Sequence, residues 1–410
     1  MSAEPRQNIA LAAGVLVVVA LLRYYEIPPV PTWFYVFAWY PTLVILDQLV
    51  VLRGGESLLA RPGTLVAMLW WSAVIWLLFE AINFRIANWY YVFLPAHRLA
   101  RWIGITVSLA TVVPALLLPA RLLDRLGLWH DLHSRPLPLG TRELRLALWL
   151  GGVLLALVLA FPRYCYALTW AALWLIAEPL LYRSDPDHSL FGDMTRGSWG
   201  RIVRLLAAGL CAGGLWEAFN ALARARWIYT VPFLEHLKLF EMPVIGFLGF
   251  PCFALEAWSL YYLLVRHATA RRVAASVLFA LLVLAGMDRW TVSSTEPRLA
   301  DLPGVTNGVL DRLRGAGWTD VFRLARAPAA ELAYSAKLRP EDARAAQNAA
   351  RLVTLRGLGT AHAATLIGAG ISSVAALAEA APDSVWRLVH RGARPTPAEV
   401  RQWVRAARGE

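Results

Sequence analysis

Charge is what this 410-residue sequence has least of: Asp, Glu, Lys and Arg make up 17% of it, against about 25% in an average soluble domain. With 58% hydrophobic residues and a mean hydropathy of +0.50, that scarcity excludes an ordinary soluble protein and a disordered one. Cysteine is almost as rare. Cys165, Cys211 and Cys252 all fall in apolar stretches without metal-ligand spacing, and three thiols cannot all pair within the chain. A disulfide scaffold is therefore excluded, and the three read as small buried hydrophobes. No Walker loop, dinucleotide fingerprint, nucleophile elbow or His-rich box is present, which argues against phosphoryl-transfer, dehydrogenase and hydrolase chemistry. No cofactor is assigned. The 40 Lys+Arg against 28 Asp+Glu give a net charge of +12, nearly all the cations are Arg, and the excess is shared between the apolar part and the tail.

Long apolar runs are what the sequence does have. They occur at 9–22, 33–52, 64–83, 102–119, 144–161, 166–182, 202–220, 244–265 and 273–287, each long enough to cross a bilayer, although the first is short. Sixteen of the 19 Trp precede residue 291, many of them near run ends (Trp33, Trp89, Trp102, Trp170, Trp227), as interfacial aromatic belts require. The first run has no cleavage site after it and reads as a retained anchor. The expected fold class is all-α: a polytopic membrane domain followed by a small soluble domain.

The membrane part repeats itself. LVILDQLVVLR (43–53) aligns with LWLIAEPLLYR (173–183), setting Asp47 against Glu178, and each is followed by a polar loop with Ser57-Leu58-Leu59 or Ser189-Leu190-Phe191. FEAINFRIANWYYVFLP (79–95) aligns with WEAFNALARARWIYTVP (216–232), setting Glu80 against Glu217, Asn83 against Asn220, Trp89 against Trp227 and Tyr91 against Tyr229. The unit is four spans used twice, and an even number makes the copies parallel. This gives a first repeat over 1–120, a polar loop at 121–143, a second repeat over 144–267, a last span and linker at 268–294, and a soluble domain at 295–410. Basic residues favour the loops on the N-terminal side, which the positive-inside rule places in the cytoplasm. Nine crossings would then export the tail. The conflict with a cytoplasmic tail disappears if the short first run, or the segment FEMPVIGFLGFP (240–251) broken by Pro and Gly, is not a full crossing. Both alternatives stand at this stage, the broken segment as a re-entrant one.

From Thr295 the composition turns to Ala, Arg, Leu and Gly with helical periodicity. A second repeat appears there at a spacing of 53: LPGVTNGVLDRLRGAGWTDVFRLARA (302–327) against LRGLGTAHAATLIGAGISSVAALAEA (355–380). Each copy reads as a glycine turn, a short helix, a break at Ala316-Gly317 or Ala369-Gly370, and another helix. This resembles the tandem helix-hairpin-helix modules of DNA-repair and recombination proteins, and more narrowly an uncharacterised bacterial domain of that type. The resemblance implies a turn at Gly357 and Gly359 with Arg356 beside it, and a helix from Thr360 whose free N–H groups would meet a phosphate. Gly304 is the equivalent in the first copy, where Thr306 replaces the second glycine. A nucleic acid or a protein is the expected partner of this tail.

Asp47, Glu80, Glu178, Glu217 and Glu256 lie in or at the ends of apolar runs, where a charge costs at least about 2.5–3.5 kcal/mol at the centre of a span. They are expected to face a bundle interior, a cavity or a partner. Glu80 with Asn83, and Glu217 with Asn220, are i,i+3 pairs on one helix face, able to bond the amide or a Trp N–H. The segment W-E-x-x-N…W-x-Y…F-E-x-P…F-A-L-E (216–256) is similar to the membrane carotenoid cyclases of the lycopene-cyclase type. It also resembles uncharacterised bacterial membrane proteins. The cyclase resemblance implies Glu217, Glu241 and Glu256 as proton donors to an isoprenoid double bond, with Trp227 and Tyr229 facing the carbocation. There is no adjacent Glu-Glu pair, and the first repeat has no counterpart of Glu241 or Glu256. His130-Asp131-Leu132-His133 and Asp185-Pro186-Asp187-His188 have ligand-type residues but read as polar loops, and no metal is assigned. Three functions are therefore expected in order: a membrane-anchored binding or scaffolding protein of the bacterial inner membrane, a membrane-embedded enzyme on an isoprenoid or lipid, and a transporter.

Overall fold

The computed structural model describes residues 4–233, 237–392 and 394–409. Twenty helices follow in chain order. Those of the apolar part are α1 (Glu4–Tyr24), α2 (Val30–Leu52), α3 (Pro62–Ile86), α4 (Arg98–Leu109), α5 (Val112–Arg125), α6 (Thr141–Ala160), α7 (Pro162–Cys165), α8 (Thr169–Ser184), α9 (Leu190–Thr195), α10 (Gly200–Leu222), α11 (Gly249–Arg266) and α12 (Ala270–Trp290). Those of the tail are α13 (Asn307–Gly315), α14 (Val321–Arg326), α15 (Ala329–Ser335), α16 (Pro340–Thr354), α17 (Gly359–Gly368), α18 (Val374–Glu379), α19 (Pro382–Val389) and α20 (Pro397–Arg408). Among the described residues, nine helical runs are long and apolar enough to cross a membrane, including Arg98–Arg125, Pro162–Ser184 and Val244–Arg266 as single runs. The protein is a multi-pass, all-α membrane protein with a small helical C-terminal domain. Leu146 and Trp149 on α6 are 66% and 74% exposed, an outward face that only hydrocarbon solvates well.

Two compact units form: Met1–Asn88, Trp102–Ala223 and Val231–Met287 make one, and Trp89–Arg101, Arg224–Thr230 and Asp288–Glu410 make the other. The second unit thus takes in two segments, 89–101 and 224–230, that the sequence pattern sets within the four-span repeats.

Backbone breaks in the first unit are satisfied locally, as burial in hydrocarbon demands. The run Arg98–Arg125 is interrupted between α4 and α5, and Ser72 of α3 bridges the gap. Its hydroxyl donates to the Leu109 carbonyl (2.7 Å) and accepts from Val113 N–H (2.9 Å). Helix α10 packs closely on α11 through Gly209 and Gly213. A Cβ on Gly209 would lie 2.5 Å from the Phe250 carbonyl oxygen, and one on Gly213 would overlap the Phe250 ring, the small-residue contact that membrane helices use. The segment 240–251 begins at the turn of a short hairpin, β3 (Lys238–Leu239) with β4 (Met242–Pro243), and continues through a 3₁₀ turn into α11. Cys211 and Cys252 are exposed and Cys165 half-buried, which corrects the expectation of buried thiols. Both exposed ones lie on apolar helices long enough to span a membrane, where an outward thiol is no worse than a methyl group.

The second unit is built on a small sheet. Strand β1 (Trp89–Val92) pairs antiparallel with β2 (Arg226–Tyr229), with Trp89 opposite Tyr229 and Tyr91 opposite Trp227. The chain after α12 runs parallel to β1 on its other side, through Tyr91–Val292 and Leu94–Thr295 bridges. The eight tail helices enclose a core of Leu, Val and Ala that also holds the buried Trp318 and Trp403.

Candidate functional site

The intramembrane carboxylates are held by short side chains from the following loop. Asp47 is buried and accepts from Ser57 O–H (2.6 Å), Leu58 N–H (2.6 Å) and Gln48 Nε2 (2.9 Å). Glu178, also buried, accepts from the hydroxyls of Ser189 and Ser259 and from Phe191 N–H at 2.9 Å. In both cases the donor loop begins ten or eleven residues after the carboxylate, and the same Ser189 caps α9 by accepting Gly192 N–H at 3.1 Å. Three donors offset the cost of burying an acidic group.

The i,i+3 pairs behave differently. Trp76 Nε1 donates to Glu80 at 3.0 Å, as the sequence leads one to expect of a Trp N–H, while Asn83 turns its side-chain oxygen to the Asn88 N–H at 2.9 Å and so caps the chain reversal after α3. Glu217 and Asn220 are fully buried in α10. Glu256 is fully buried in α11; one oxygen accepts a long 3.3 Å bond from Trp174 N–H, and the other has no hydrogen-bond partner among the described residues. One turn earlier on α11, Phe253 centres an aromatic cluster, with its ring centroid 5.3 Å from Trp76, 5.2 Å from Phe79 and 5.9 Å from Trp216. Glu241 is buried at the β3–β4 turn. Trp227 and Tyr229 lie in β2, in the second unit.

In the C-terminal domain the second glycine turn is covered by its own unit. Gly357 and Gly359 have φ of +80° and +73° and are buried. A Cβ on Gly357 would overlap the Val92 side chain of β1, and one on Gly359 would lie 2.7 Å from Ser294 Cβ. Tyr90 O–H reaches the Arg356 carbonyl (3.4 Å), and the Arg356 guanidinium donates to Gln402 (3.3 Å). Thr360, at the start of α17, is half-buried. The first turn is open: Gly304, φ +72°, and Thr306 are exposed. The geometry needed for a phosphate at the second turn, free N–H groups facing outward, is thus filled by β1.

A second contact grips the first half of the tail. Arg224, just before β2, is 8% exposed, forms a 2.7 Å ion pair with Asp320 and lies 4.5 Å above the Phe322 ring. Phe322 also meets Phe93 edge-on at 5.0 Å. Asp320 caps α14 at the same time, accepting Phe322 and Arg323 N–H. None of Arg224, Asp320, Phe322, Val92 or Ser294 stands out in the sequence, because each acts through a partner remote in the chain.

Of the polar loops, His188 lies 2.9 Å from Asp185. Partial burial pushes the Asp185 pKa up, but the His188 ring and its N–H together outweigh that and lower it. His130 pairs with Asp124. Among the described residues no three His, Cys, Asp or Glu side chains converge as a metal site would require.

Residues 303–409 match a family described as a domain of unknown function, DUF4332. Neither a curated protein nor a solved structure matches the chain.

Proposed function

We propose that this is a membrane-anchored scaffolding protein that displays its C-terminal domain, on the side opposite its Arg-rich loops, to a protein partner. The observation that carries this reading is the parity of the crossings. Segments 89–101, 224–230 and 288–410 belong to one compact unit, so they share one side of the bilayer. Between 224–230 and 288 run only Val244–Arg266 and Ala270–Trp290, and a return to the same side needs both to cross. This favours a full crossing over a re-entrant one for the Pro- and Gly-broken segment. The loops after α2, α5, α8 and α11 carry Arg53, Arg61, Arg135, Arg183, Arg196 and Arg266 and so belong in the cytoplasm. The tail then lies outside it, whatever the first run does, and a chromosomal partner is disfavoured. The covered Gly357–Gly359 turn supports protein contact over phosphate contact in the same direction.

The finer reading is of two parallel four-span repeats in a bacterial inner membrane and a tail of helix-hairpin-helix type. The equal placement of the Asp47 and Glu178 donor loops supports the first repeat, and so does the pairing of Trp89–Tyr91 with Trp227–Tyr229. For the tail, α13 to α16 and α17 to α20 have the same order, with left-handed Gly317 and Gly370 at the equivalent breaks. Reporters active only inside or only outside the cytoplasm, fused after Glu410, test the topology: the external reporter is expected to be active, and a cytoplasmic result overturns the reading. Purified full-length protein should also show no salt-steep binding to DNA or RNA.

A second reading, an enzyme on an isoprenoid or lipid acting through Glu217, Glu241 and Glu256, is favoured by the Glu256 oxygen that has no hydrogen-bond partner among the described residues, one helical turn from the Phe253 aromatic cluster. An unchanged lipid and pigment profile after substitution of each by Gln would exclude it.

A further inference from the structure

Where α5, α8, α10 and α11 end together on the Arg-rich side, three buried or half-buried carboxylates are already taken. Asp193 holds Arg196 (2.8 Å) and Arg201 (3.2 Å), Asp124 holds Arg204 (2.9 Å), and Asp185 holds His188 (2.9 Å). Arg121, in the last two turns of α5, is half-buried and has no carboxylate partner among the described residues. The Tyr262 phenol of α11 lies beside it, near enough to feel its positive charge. Tyr262 is itself fixed by stacking on His188 at 4.3 Å and by a tilted contact with Trp258 at 4.5 Å. The chain just past α5 exposes Leu126, Leu128 and Trp129, each 40–42%.

We propose that Arg121 and the Tyr262 hydroxyl hold the phosphodiester of an anionic phospholipid at the cytoplasmic boundary of the bundle, a site separate from the tail. A half-buried guanidinium at the end of an apolar span is costly without a counter-charge. It offers parallel N–H donors that match two phosphate oxygens. A diester suits the seam because it carries one charge, as the seam lacks one. The depth selects lipid over free phosphate: Arg121 and Tyr262 both lie near the ends of spanning helices, at headgroup level, with apolar side chains beside them for the glycerol and acyl portion.

The test uses full-length protein in mild detergent, delipidated and then exposed to phosphatidylglycerol or phosphatidylcholine in mixed micelles, with retained lipid counted by native mass spectrometry. Phosphatidylglycerol is expected to be retained, and Arg121→Gln should weaken retention about tenfold, which corresponds to about 1.4 kcal/mol. Tyr262→Phe should weaken it less, and Arg125→Gln, a neighbouring cation, should leave it unchanged. Equal retention of the two lipids overturns the proposal. Equal losses in Arg121→Gln and Arg125→Gln also overturn it, since they would mean only a general effect of surface charge. Displacement of the lipid by millimolar inorganic phosphate would assign the site to a free anion and overturn the lipid. Thermal unfolding without lipid checks that the variants fold, and the Tyr262→Phe comparison, which keeps the ring and its stacking, remains decisive if Arg121→Gln does not.

Discussion

The two glycine turns of the C-terminal domain have the same left-handed backbone and opposite surroundings. At Gly304 the nearest atom to a built Cβ is the tip of Ile367, 3.1 Å away, whereas at Gly357 that Cβ would penetrate Val92 of β1. The open turn needs glycine for its φ alone. The covered turn needs it for φ and for space. The covered turn seats a strand of the same chain, and it alone makes the domain depend on residues hundreds of positions away.

The largest test of this contrast is Gly357→Ala against Gly304→Ala. Overpacking plus left-handed strain should cost the former about 3 kcal/mol, and strain alone should cost the latter about 1 kcal/mol, read by pulse proteolysis of the tail in full-length protein. Equal losses would mean that β1 does not rest on the turn. The caps at the start of α14 and α18 give the next comparison. Asp320→Ala removes a cap and the Arg224 ion pair and should cost about 2 kcal/mol after allowance for its partial exposure. Ser373→Ala removes only a cap and should cost about 1 kcal/mol. An Arg224→Ala background should shrink the difference between them.

The smallest effect is one of pH. His362 of α17 has its pKa lowered from 6.5, first by burial, despite the bond from its Nδ1–H to the Leu358 carbonyl and the nearby Glu399. A folded pKa below the unfolded one means that the unfolded chain binds more protons. Stability is therefore complete above about pH 6.5 and falls as pH drops below it. Val309 occupies the equivalent position in the first half. Hydrogen exchange should then show α17 loosening on acidification while α13 holds, and His362→Val should abolish the difference.

Much of the membrane architecture was legible in the sequence, because hydrocarbon imposes a length and a composition on every span. The nine apolar runs correspond one for one to the nine helical runs, with ends shifted by a few residues. The burial of Asp47, Glu80, Glu178, Glu217 and Glu256 was legible for the same reason. What was not legible is what each carboxylate touches: Ser259 comes to Glu178 from 81 residues away, and no periodicity reports that. The tail's helices and breaks follow from Gly and Ala-Gly spacing. The union of 89–101 and 224–230 with the tail does not, since W-x-Y segments next to spans look like interfacial belts until their strand pairing is seen. Glycine spacing likewise reports the Gly357 turn but not its covering.

The discontinuous second unit has a consequence for biosynthesis. Tyr91 leaves the ribosome about 200 residues before Val292, its bridge partner. At about 5–20 residues per second the wait is roughly 10–40 s, long compared with the microseconds in which a β-hairpin forms. For about the first two thirds of that interval, until Arg226–Tyr229 is made, the apolar edge Trp89–Val92 has no β2 to cover it, and the Gly357 turn follows later still. Such an edge is a template for pairing with other chains, so a newly made molecule passes through a period in which it depends on a holding factor or on the membrane surface for shelter. A truncated chain that begins after α12 would meet the complementary problem permanently: a folded tail whose Gly357 slot and Phe322 ring have nothing to receive.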